Sequence, residues 1–272
     1  MTNPTILLVD NGSSRAESAL NLRRLAARLS DAVGSTVHAV SLQHAHKIPP
    51  EALEGIPANT FAPFMQQRLA AGERRFIVLP LFFGPSRALS SYIPEQSAQL
   101  AATYDDFELV QAPVLCPLPE GEPRLAHILC AQLPDPAPGR LKRVILVDHG
   151  SPIPQVTAVR RYLANEMRSI LGSDVQLTQA VMERRQGADY DFNGRLLEEV
   201  LAEAGKQDDS SPVALSLLFM SPGRHAGSGG DIEAICRRIS ADHPGWQILS
   251  SALVGEADGL IPILRDRLAT VL

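Results

Sequence analysis

An internal repeat of a strand-and-turn motif indicates the fold of this chain. The stretch from Thr5 to Ser13 reads TILLVDNGS, and the stretch from Val144 to Ser151 reads VILVDHGS. Each is an apolar, β-branched run ending in polar residues and a glycine, as expected where a buried parallel strand reaches the edge of a sheet. The copies differ where His149 stands in place of Asn11. The sequence therefore predicts two copies of one domain, of which only the second has an imidazole at this position.

The repeat extends well beyond this motif. Asp10 and Asp148 are 138 residues apart, and Pro85 and Pro222, near the ends of the third predicted strands, are 137 residues apart. Apolar runs of strand length alternate with segments of helical periodicity in both halves, which is typical of parallel sheets covered on both faces. We therefore predict an α/β fold of two tandem domains related by internal duplication, each a mainly parallel sheet flanked by helices. One large sheet with similar halves is the alternative.

A proline-rich segment marks the predicted boundary between the domains. Three prolines lie between Pro134 and Gly139, and proline neither continues a helix nor fits a central strand. The predicted organisation is an N-terminal domain over residues 1–133, a linker over residues 134–141 and a C-terminal domain over residues 142–272. The helix predicted to begin near Phe192 belongs to the second domain.

Composition argues against several functional classes. A formal net charge of −5 and a sequence pI of about 5.8 give no reason to expect nucleic acid or an anionic membrane as a partner. Neither a secretory signal pattern nor an apolar run of membrane-spanning length is present, so we expect a cytoplasmic protein without membrane association. Cys116, Cys130 and Cys236 are far apart, which argues against a disulfide framework and a thiolate metal site.

Polar side chains follow the predicted strand ends of the second domain. His149 follows the first strand, Glu183 ends the second, and His225 lies in the run after the third. In open parallel sheets, ligands bind beyond the carboxyl ends of the strands. Imidazoles and a carboxylate suit a divalent first-row ion, and three protein ligands leave coordination positions open for exchange. We therefore predict a metal site at His149, Glu183 and His225 whose groups also accept protons; a structural role is the alternative for either histidine alone.

The first domain lacks an equivalent set of ligands. At the same offset it has Asn11, Ala45 and Ala88. His44 and His46 lie near the end of its second predicted strand, and an alternating metal-binding pair is one interpretation of them. Side chains two apart share a face only while the strand persists, and prolines follow closely, so we favour loop histidines.

The glycine-rich run over residues 223–230 does not predict a nucleotide site. It has no lysine followed by serine or threonine, and its glycines do not fit the dinucleotide fingerprint. Small residues here instead allow a large flat ligand to approach the backbone, and Asp231 is expected to cap the helix that follows.

Basic residues lie beside the predicted strand ends. These are Arg87, Arg184, Arg185 and Arg224. Guanidinium groups bind carboxylates bidentately, so an acidic substrate is one interpretation and ordinary solvated surface charge is the other. Together with Asn11, they are the predicted substrate-binding residues.

These motifs resemble those of the class II chelatases, which insert cobalt or iron into sirohydrochlorin on the way to cobalamin or sirohaem. The resemblance rests on VDHGS at Val147–Ser151 and SPGRHAGSGGDI at Ser221–Ile232, and it covers essentially the whole chain as two tandem chelatase-like domains. It implies a metal-binding histidine pair matched by His149 and His225, and a carboxylate, matched by Glu183, that binds metal or removes a proton. Some members have histidines in the N-terminal domain, where this chain has none at the matching positions, so the resemblance implies a site in the C-terminal domain only.

The function that the resemblance implies is ATP-independent insertion of Co²⁺ or Fe²⁺ into sirohydrochlorin or a related tetrapyrrole. The metal and the tetrapyrrole are then both substrates, no nucleotide cofactor is needed, and the oligomeric state stays open. A non-catalytic tetrapyrrole- or metal-binding carrier derived from a chelatase is the main alternative. A periplasmic-type small-ligand binding protein with a hinge near Pro134 is a less favoured one.

Overall fold

The computed structural model describes residues 3–134 and 141–272 and contains two parallel four-stranded sheets. Two separate sheets confirm the prediction of a duplicated α/β fold, and the alternative of one large sheet is wrong. Most of the predicted linker, residues 135–140, lies outside the described residues. The strands are β1 (Thr5–Asp10), β2 (Val37–Ser41), β3 (Arg75–Pro80), β4 (Glu108–Gln111), β5 (Arg143–Asp148), β6 (Gln176–Val181), β7 (Val213–Leu217) and β8 (Ile248–Ser250).

The two sheets have the same topology. Their strand orders are β2-β1-β3-β4 and β6-β5-β7-β8, and all pairs of neighbouring strands are parallel. The copies of the repeated motif, β1 and β5, are inner strands, and five of the six residues in each are buried. Apolar side chains on both faces of these strands are covered, as continuous apolar runs predict.

Eight α-helices accompany the sheets in the described part of the chain. They are α1 (Ala16–Val33), α2 (Phe61–Ala70), α3 (Ile93–Ala101), α4 (Pro123–Ala131), α5 (Pro154–Leu171), α6 (Leu197–Gln207), α7 (Asp231–Asp242) and α8 (Leu260–Ala269). Leucines 22, 25 and 29 of α1 are buried at helical spacing, and α1 ends at Gly34 in the left-handed conformation. Among these helices, none has the length and apolar character needed to cross a membrane.

Some predicted element boundaries are wrong. The helix expected from Phe192 begins only at Leu197, because residues 188–193 form a separate 3₁₀ turn. The last apolar run of the second sequence repeat, from Trp246 to Val254, predicts a strand, but only Ile248–Ser250 forms one.

The chain divides into two compact units that differ from its sequence repeats. The N-terminal unit combines Met1–Pro117 with Asp258–Leu272, and the C-terminal unit is Leu118–Ala257. Helix α8 therefore packs against α1, whereas α4 packs against α5. The sequence repeats place α4 in the first copy and α8 in the second, whereas in the structure each helix belongs to the other compact unit.

Candidate metal centre

The candidate metal centre lies at the carboxyl ends of three adjacent strands of the second sheet. His149 directly follows β5, Glu183 lies two residues beyond β6, and His225 lies in the loop between β7 and α7. Nε2 of His149 is 3.1 Å from Nε2 of His225 and 3.2 Å from Oε1 of Glu183. One ligand atom from each residue lies within 4.8 Å of the other two. The structure thus brings together all three residues that the sequence singled out.

A glycine turn fixes the first two of these side chains relative to each other. The Glu183 N–H donates to the His149 carbonyl at 3.1 Å, so the two strand ends run close together. Gly150 has a φ of +90°, and a Cβ at this position would lie 2.0 Å from the Glu183 carbonyl oxygen. Because only glycine tolerates both that conformation and that approach, the DHG motif positions His149 beside Glu183.

The same turn in the N-terminal unit corrects one sequence equivalence. The Gln43 N–H donates to the Asn11 carbonyl at 3.2 Å, and a Cβ on Gly12 would lie 1.8 Å from the Gln43 carbonyl oxygen. Gln43, and not Ala45, is therefore the counterpart of Glu183, because the second strands are offset by two more residues than the first. Two amides and the methyl of Ala88 stand where the C-terminal unit has two imidazoles and a carboxylate.

Hydrogen bonds orient both imidazoles with Nε2 toward the site. Nδ1 of His149 lies 3.0 Å from the Gly150 carbonyl oxygen, and Nδ1 of His225 lies 2.7 Å from Oδ2 of Asp231. Because both partners are acceptors, we assign the proton of each neutral ring to Nδ1, which leaves a lone pair on Nε2. Two lone pairs and a carboxylate oxygen then converge, an arrangement that repels unless a proton or a cation lies among them.

The separation of the two imidazoles fits a shared metal ion. With metal–nitrogen bonds of about 2.0–2.1 Å, two Nε2 atoms 3.1 Å apart subtend an angle of about 95–100° at the ion. The side chains of His149 and Glu183 are 48% and 59% exposed, so a bound ion remains open to exchange with an incoming ligand. The arrangement suits a transient metal site better than a closed structural one.

Asp231 has a role that the sequence did not predict. The N-cap of α7 is Gly230, so the expected capping by Asp231 is wrong; its carboxylate instead accepts from His225 and lies 3.6 Å from Nε of Arg224. A carboxylate behind a metal-binding imidazole fixes the ring orientation and makes Nε2 more basic. An acidic residue six positions after a candidate histidine, at a helix start, was the available signal.

A buried ion pair lies directly beneath the candidate ligands. Nη1 of Arg160 is 2.5 Å from Oδ1 of Asp148, the residue before His149, and both residues are buried. Burial raises the pKa of the Asp148 carboxyl, and the Arg160 guanidinium opposes that rise. In the N-terminal unit, burial raises the pKa of Asp10 to about 6, opposed by a hydrogen bond with Ser41.

The residues predicted to bind substrate lie in both units and differ in their contacts. Arg184 is paired with Asp191 at 2.9 Å, and Arg185 lies over the ring of Tyr190 at 5.6 Å, so both belong to the loop that follows Glu183. The side chain of Arg224 is 80% exposed beside His225. Arg87 and Asn11 are exposed in the N-terminal unit, near the carboxyl ends of its strands.

The remaining histidine candidates do not join this centre. His44 and His46 are exposed at a short 3₁₀ turn. Among the described residues, only His149, Glu183 and His225 form a group of three or more side chains placed to hold a metal ion.

Comparison with known proteins places the chain among the class II chelatases. The CbiX family model matches residues 5–133 and again residues 143–271, so the chain belongs to the CbiX family and contains two copies of its domain. No curated protein matches the sequence significantly.

Solved structures share the duplicated fold. SirB from Bacillus subtilis with Fe³⁺ aligns with a TM-score of 0.70 at 16% identity, covering 98% of this chain and 95% of that one. The sirohydrochlorin chelatase SirB from Bacillus subtilis subspecies spizizenii in complex with cobalt aligns with a TM-score of 0.67 at 16% identity, covering 98% and 94%. CbiX, described as the terminal enzyme for sirohaem biosynthesis in denitrifying bacteria, aligns with a TM-score of 0.57 at 16% identity over 100% of both chains.

Proposed function

We propose that this chain inserts a divalent metal ion, Co²⁺ or Fe²⁺, into sirohydrochlorin or a related tetrapyrrole without ATP. The observation that carries the proposal is the convergence of His149, Glu183 and His225 at one sheet edge, with their ligand atoms within 4.8 Å of one another. Membership of the CbiX family supports it. So do the descriptions of two structurally similar proteins, one a sirohydrochlorin chelatase with cobalt and one with iron.

The metal ion is held by Nε2 of His149 and His225, with Glu183 as a third ligand. Three protein ligands leave coordination positions for the pyrrole nitrogens of the incoming ring. Imidazole and carboxylate groups bind first-row divalent ions such as Co²⁺ and Fe²⁺, whereas thiolate ligands select softer ions. The pyrrole nitrogens of the macrocycle can therefore replace the protein ligands of the metal ion one at a time.

Metal insertion also requires a proton acceptor. A free tetrapyrrole has two inner N–H protons, and both leave as the dication enters the ring. The Glu183 carboxylate accepts one proton, and an imidazole released from the metal accepts the second. No bond to phosphorus is broken and no electron is transferred, so the reaction balances without a nucleotide or a redox partner.

Arginines on the loops around the site hold the carboxylates of the substrate. In the C-terminal unit, the side chain of Arg224 is 80% exposed, and Arg184 and Arg185 lie on the loop after Glu183. A substrate carboxylate exchanges with the Asp231 or Asp191 carboxylate that these side chains contact in the structure. Arg87 and Asn11 are the residues proposed for the N-terminal unit.

The proposal is tested by following the absorption spectrum of sirohydrochlorin after adding Co²⁺, or Fe²⁺ without oxygen, in the absence of ATP. The wild-type chain converts the spectrum, whereas His149→Ala and His225→Ala abolish the conversion. His127→Ala is the matched control, because His127 is an exposed histidine on α4 of the same unit. Wild-type turnover in both active-site variants would overturn the proposal.

A carrier function is the second candidate, favoured by the amides that occupy the equivalent sheet edge of the N-terminal unit. A carrier binds the tetrapyrrole or the metal but does not join them. Titration of each substrate separately, followed by the insertion assay at saturating metal, distinguishes the two functions. Tight binding of both substrates without spectral conversion would identify a carrier.

A further inference from the structure

A buried arginine, Arg160, lies beneath the candidate metal centre, and a buried leucine, Leu22, occupies the equivalent position in the N-terminal unit. We propose that Arg160 is a positioning residue, which holds the two strand ends that carry His149 and Glu183 at the separation needed to share a metal ion. This inference rests on the proposed function, since it concerns the same metal centre. Arg160 is 2% exposed, and its guanidinium hydrogen-bonds to Asp148, Gln179, Ala180 and Asn193.

The first contact of Arg160 is with the strand that carries His149. Nη1 lies 2.5 Å from Oδ1 of Asp148, and the same oxygen accepts from the Gly150 N–H at 3.2 Å. The guanidinium therefore fixes the carboxylate that closes the turn around His149. Nη1 also donates to the Ala180 carbonyl of β6 at 3.3 Å, which links this turn to the strand leading to Glu183.

The second contact is with the loop that follows Glu183. Nη2 of Arg160 donates to the Asn193 carbonyl at 2.5 Å, and Asn193 is 1% exposed. The Asn193 side chain in turn accepts from the Ser151 N–H at 3.0 Å and donates to the Ser151 carbonyl at 2.8 Å. A planar guanidinium with several fixed donors joins both segments at once, which a single ammonium group cannot do with the same geometry.

The duplication provides an internal comparison. Helices α1 and α5 have the same length and are offset by 138 residues, so Leu22 stands where the C-terminal unit has Arg160. The next position is arginine in both: Arg23 donates to the Leu53 carbonyl and Arg161 to the Phe192 carbonyl, each in the crossover loop of its unit. An arginine that supports the crossover loop is thus present in both units. The arginine beneath the sheet edge is present in the unit that contains the candidate metal ligands, and a leucine takes its place in the other unit.

The energetics of a buried ion pair favour positioning over simple stabilisation. Taking both charges out of water costs about as much as their attraction returns, and apolar replacements of such pairs are often as stable. Leu22 shows that this fold accepts an apolar residue at the position. The gain from Arg160 is therefore a defined geometry at the turn, on which metal affinity depends through residues that do not touch the ion.

The test measures Co²⁺ affinity and thermal unfolding of the full chain for several variants. Arg160→Leu lowers Co²⁺ affinity by about 10-fold or more, the range for loss of groups that support metal ligands, and Arg160→Lys restores part of it. Arg168→Leu is the control, because it removes an exposed arginine from the same helix and leaves affinity unchanged.

A double variant separates positioning from charge compensation. Arg160→Leu alone leaves the Asp148 charge buried without its partner, whereas Asp148→Asn combined with Arg160→Leu removes that charge and keeps an oxygen for the Gly150 N–H. We expect the double variant to regain thermal stability but not Co²⁺ affinity. Wild-type affinity in either the single or the double variant would overturn the inference.

The same titrations distinguish failure of this inference from failure of the proposed function. Loss of Co²⁺ binding in His149→Ala and His225→Ala together with wild-type binding in Arg160→Leu contradicts the positioning role only. Unchanged Co²⁺ binding in the two histidine variants contradicts the metal centre itself, whatever the result for Arg160.

Discussion

At the scale of single residues, the duplication shows how one difference between the units changes the electrostatics of a strand end that both units contain. Asp10 and Asp148 end equivalent strands and both are buried. Asp148 has the Arg160 guanidinium, whereas one oxygen of Asp10, Oδ1, is buried without a hydrogen-bond partner. The leucine that replaces the arginine in the N-terminal unit therefore leaves a carboxyl group that is easier to bury protonated than ionised.

The pH dependence of stability tests this difference. Burial raises the pKa of Asp10 from 3.8 to about 6, so the folded state binds this proton more tightly than the unfolded state. That contribution stabilises the fold fully below about pH 4 and is lost as the pH rises through 6, a change of about 3 kcal/mol. Relative to the wild type, Asp10→Asn should therefore gain about 3 kcal/mol in the free energy of unfolding between pH 4 and pH 8.

The measurement is denaturant or thermal unfolding of the wild type and the variant across that pH range. Asp31→Asn is the control, because Asp31 is an exposed aspartate of the same unit and should give a curve parallel to the wild type. A parallel curve for Asp10→Asn as well would show that Asp10 titrates normally in the folded protein.

The residues of the candidate centre could be predicted to different extents. His149, Glu183 and His225 follow strand ends, and strand ends of a parallel sheet meet at one edge, so the sequence was sufficient to group them. Asp231 and Arg160 act from helices, and whether a helical side chain reaches a neighbouring loop depends on packing that periodicity does not give. Gln43 was missed because a constant offset was applied across a loop of different length.

At the scale of single elements, the turn after the first strand of each unit is the part most strictly determined by its sequence. Both turns place a glycine with a positive φ against the carbonyl that follows the second strand. In the N-terminal unit this turn presents Asn11, and in the C-terminal unit it presents His149. The same glycine turn thus connects strand and helix in the N-terminal unit, and in the C-terminal unit it also positions a candidate metal ligand.

Replacing each of the two glycines with alanine separates the role of the turn in the fold from its role in the candidate site. Gly150→Ala and Gly12→Ala both force a Cβ to within about 2 Å of a carbonyl oxygen in a conformation that L-residues avoid, so both should lower the unfolding midpoint. Gly150→Ala should also weaken Co²⁺ binding, because Glu183 must move away from His149. Gly12→Ala should leave Co²⁺ affinity unchanged, and equal losses of affinity in both variants would contradict a site confined to the C-terminal unit.

Elements defined by periodic burial of apolar residues could be predicted from the sequence, whereas boundaries set by individual side-chain hydrogen bonds could not. Amphipathic periodicity over residues 15–33 and 154–171 predicts two helices, and α1 and α5 match those bounds closely, since a sheet-packed helix repeats its apolar positions over several turns. The start of α6 was placed too early because Asn193 uses its side chain to bind Ser151 and its carbonyl to bind Arg160. Such side-chain bonds compete with helix formation, and apolar periodicity does not reveal them.

At the scale of the whole molecule, the compact units and the sequence repeats divide the chain differently. The repeats run over residues 5–133 and 143–271, whereas the C-terminal unit runs from Leu118 to Ala257. Helix α4 contributes Leu125 and Leu129 to the C-terminal unit, where it packs against α5. Burial of each such leucine contributes about 2 kcal/mol, so assignment of one helix decides whether an isolated unit is stable.

Two segments of the chain test that division. The segment 118–257 retains α4 against α5, and it should fold and bind one Co²⁺ at His149 and His225. The segment 142–272 lacks α4 and instead ends in α8, whose buried Leu260, Ile263 and Leu264 have lost the partner helix α1. It should unfold at a lower temperature or aggregate, because apolar surface on α5 and on α8 is left in water.

Calorimetry and Co²⁺ titration of both segments measure the difference, with His149→Ala in segment 118–257 as the binding control. If segment 142–272 is the more stable of the two, then α4 and α8 pack with their own sequence repeats, and the division into these compact units is wrong.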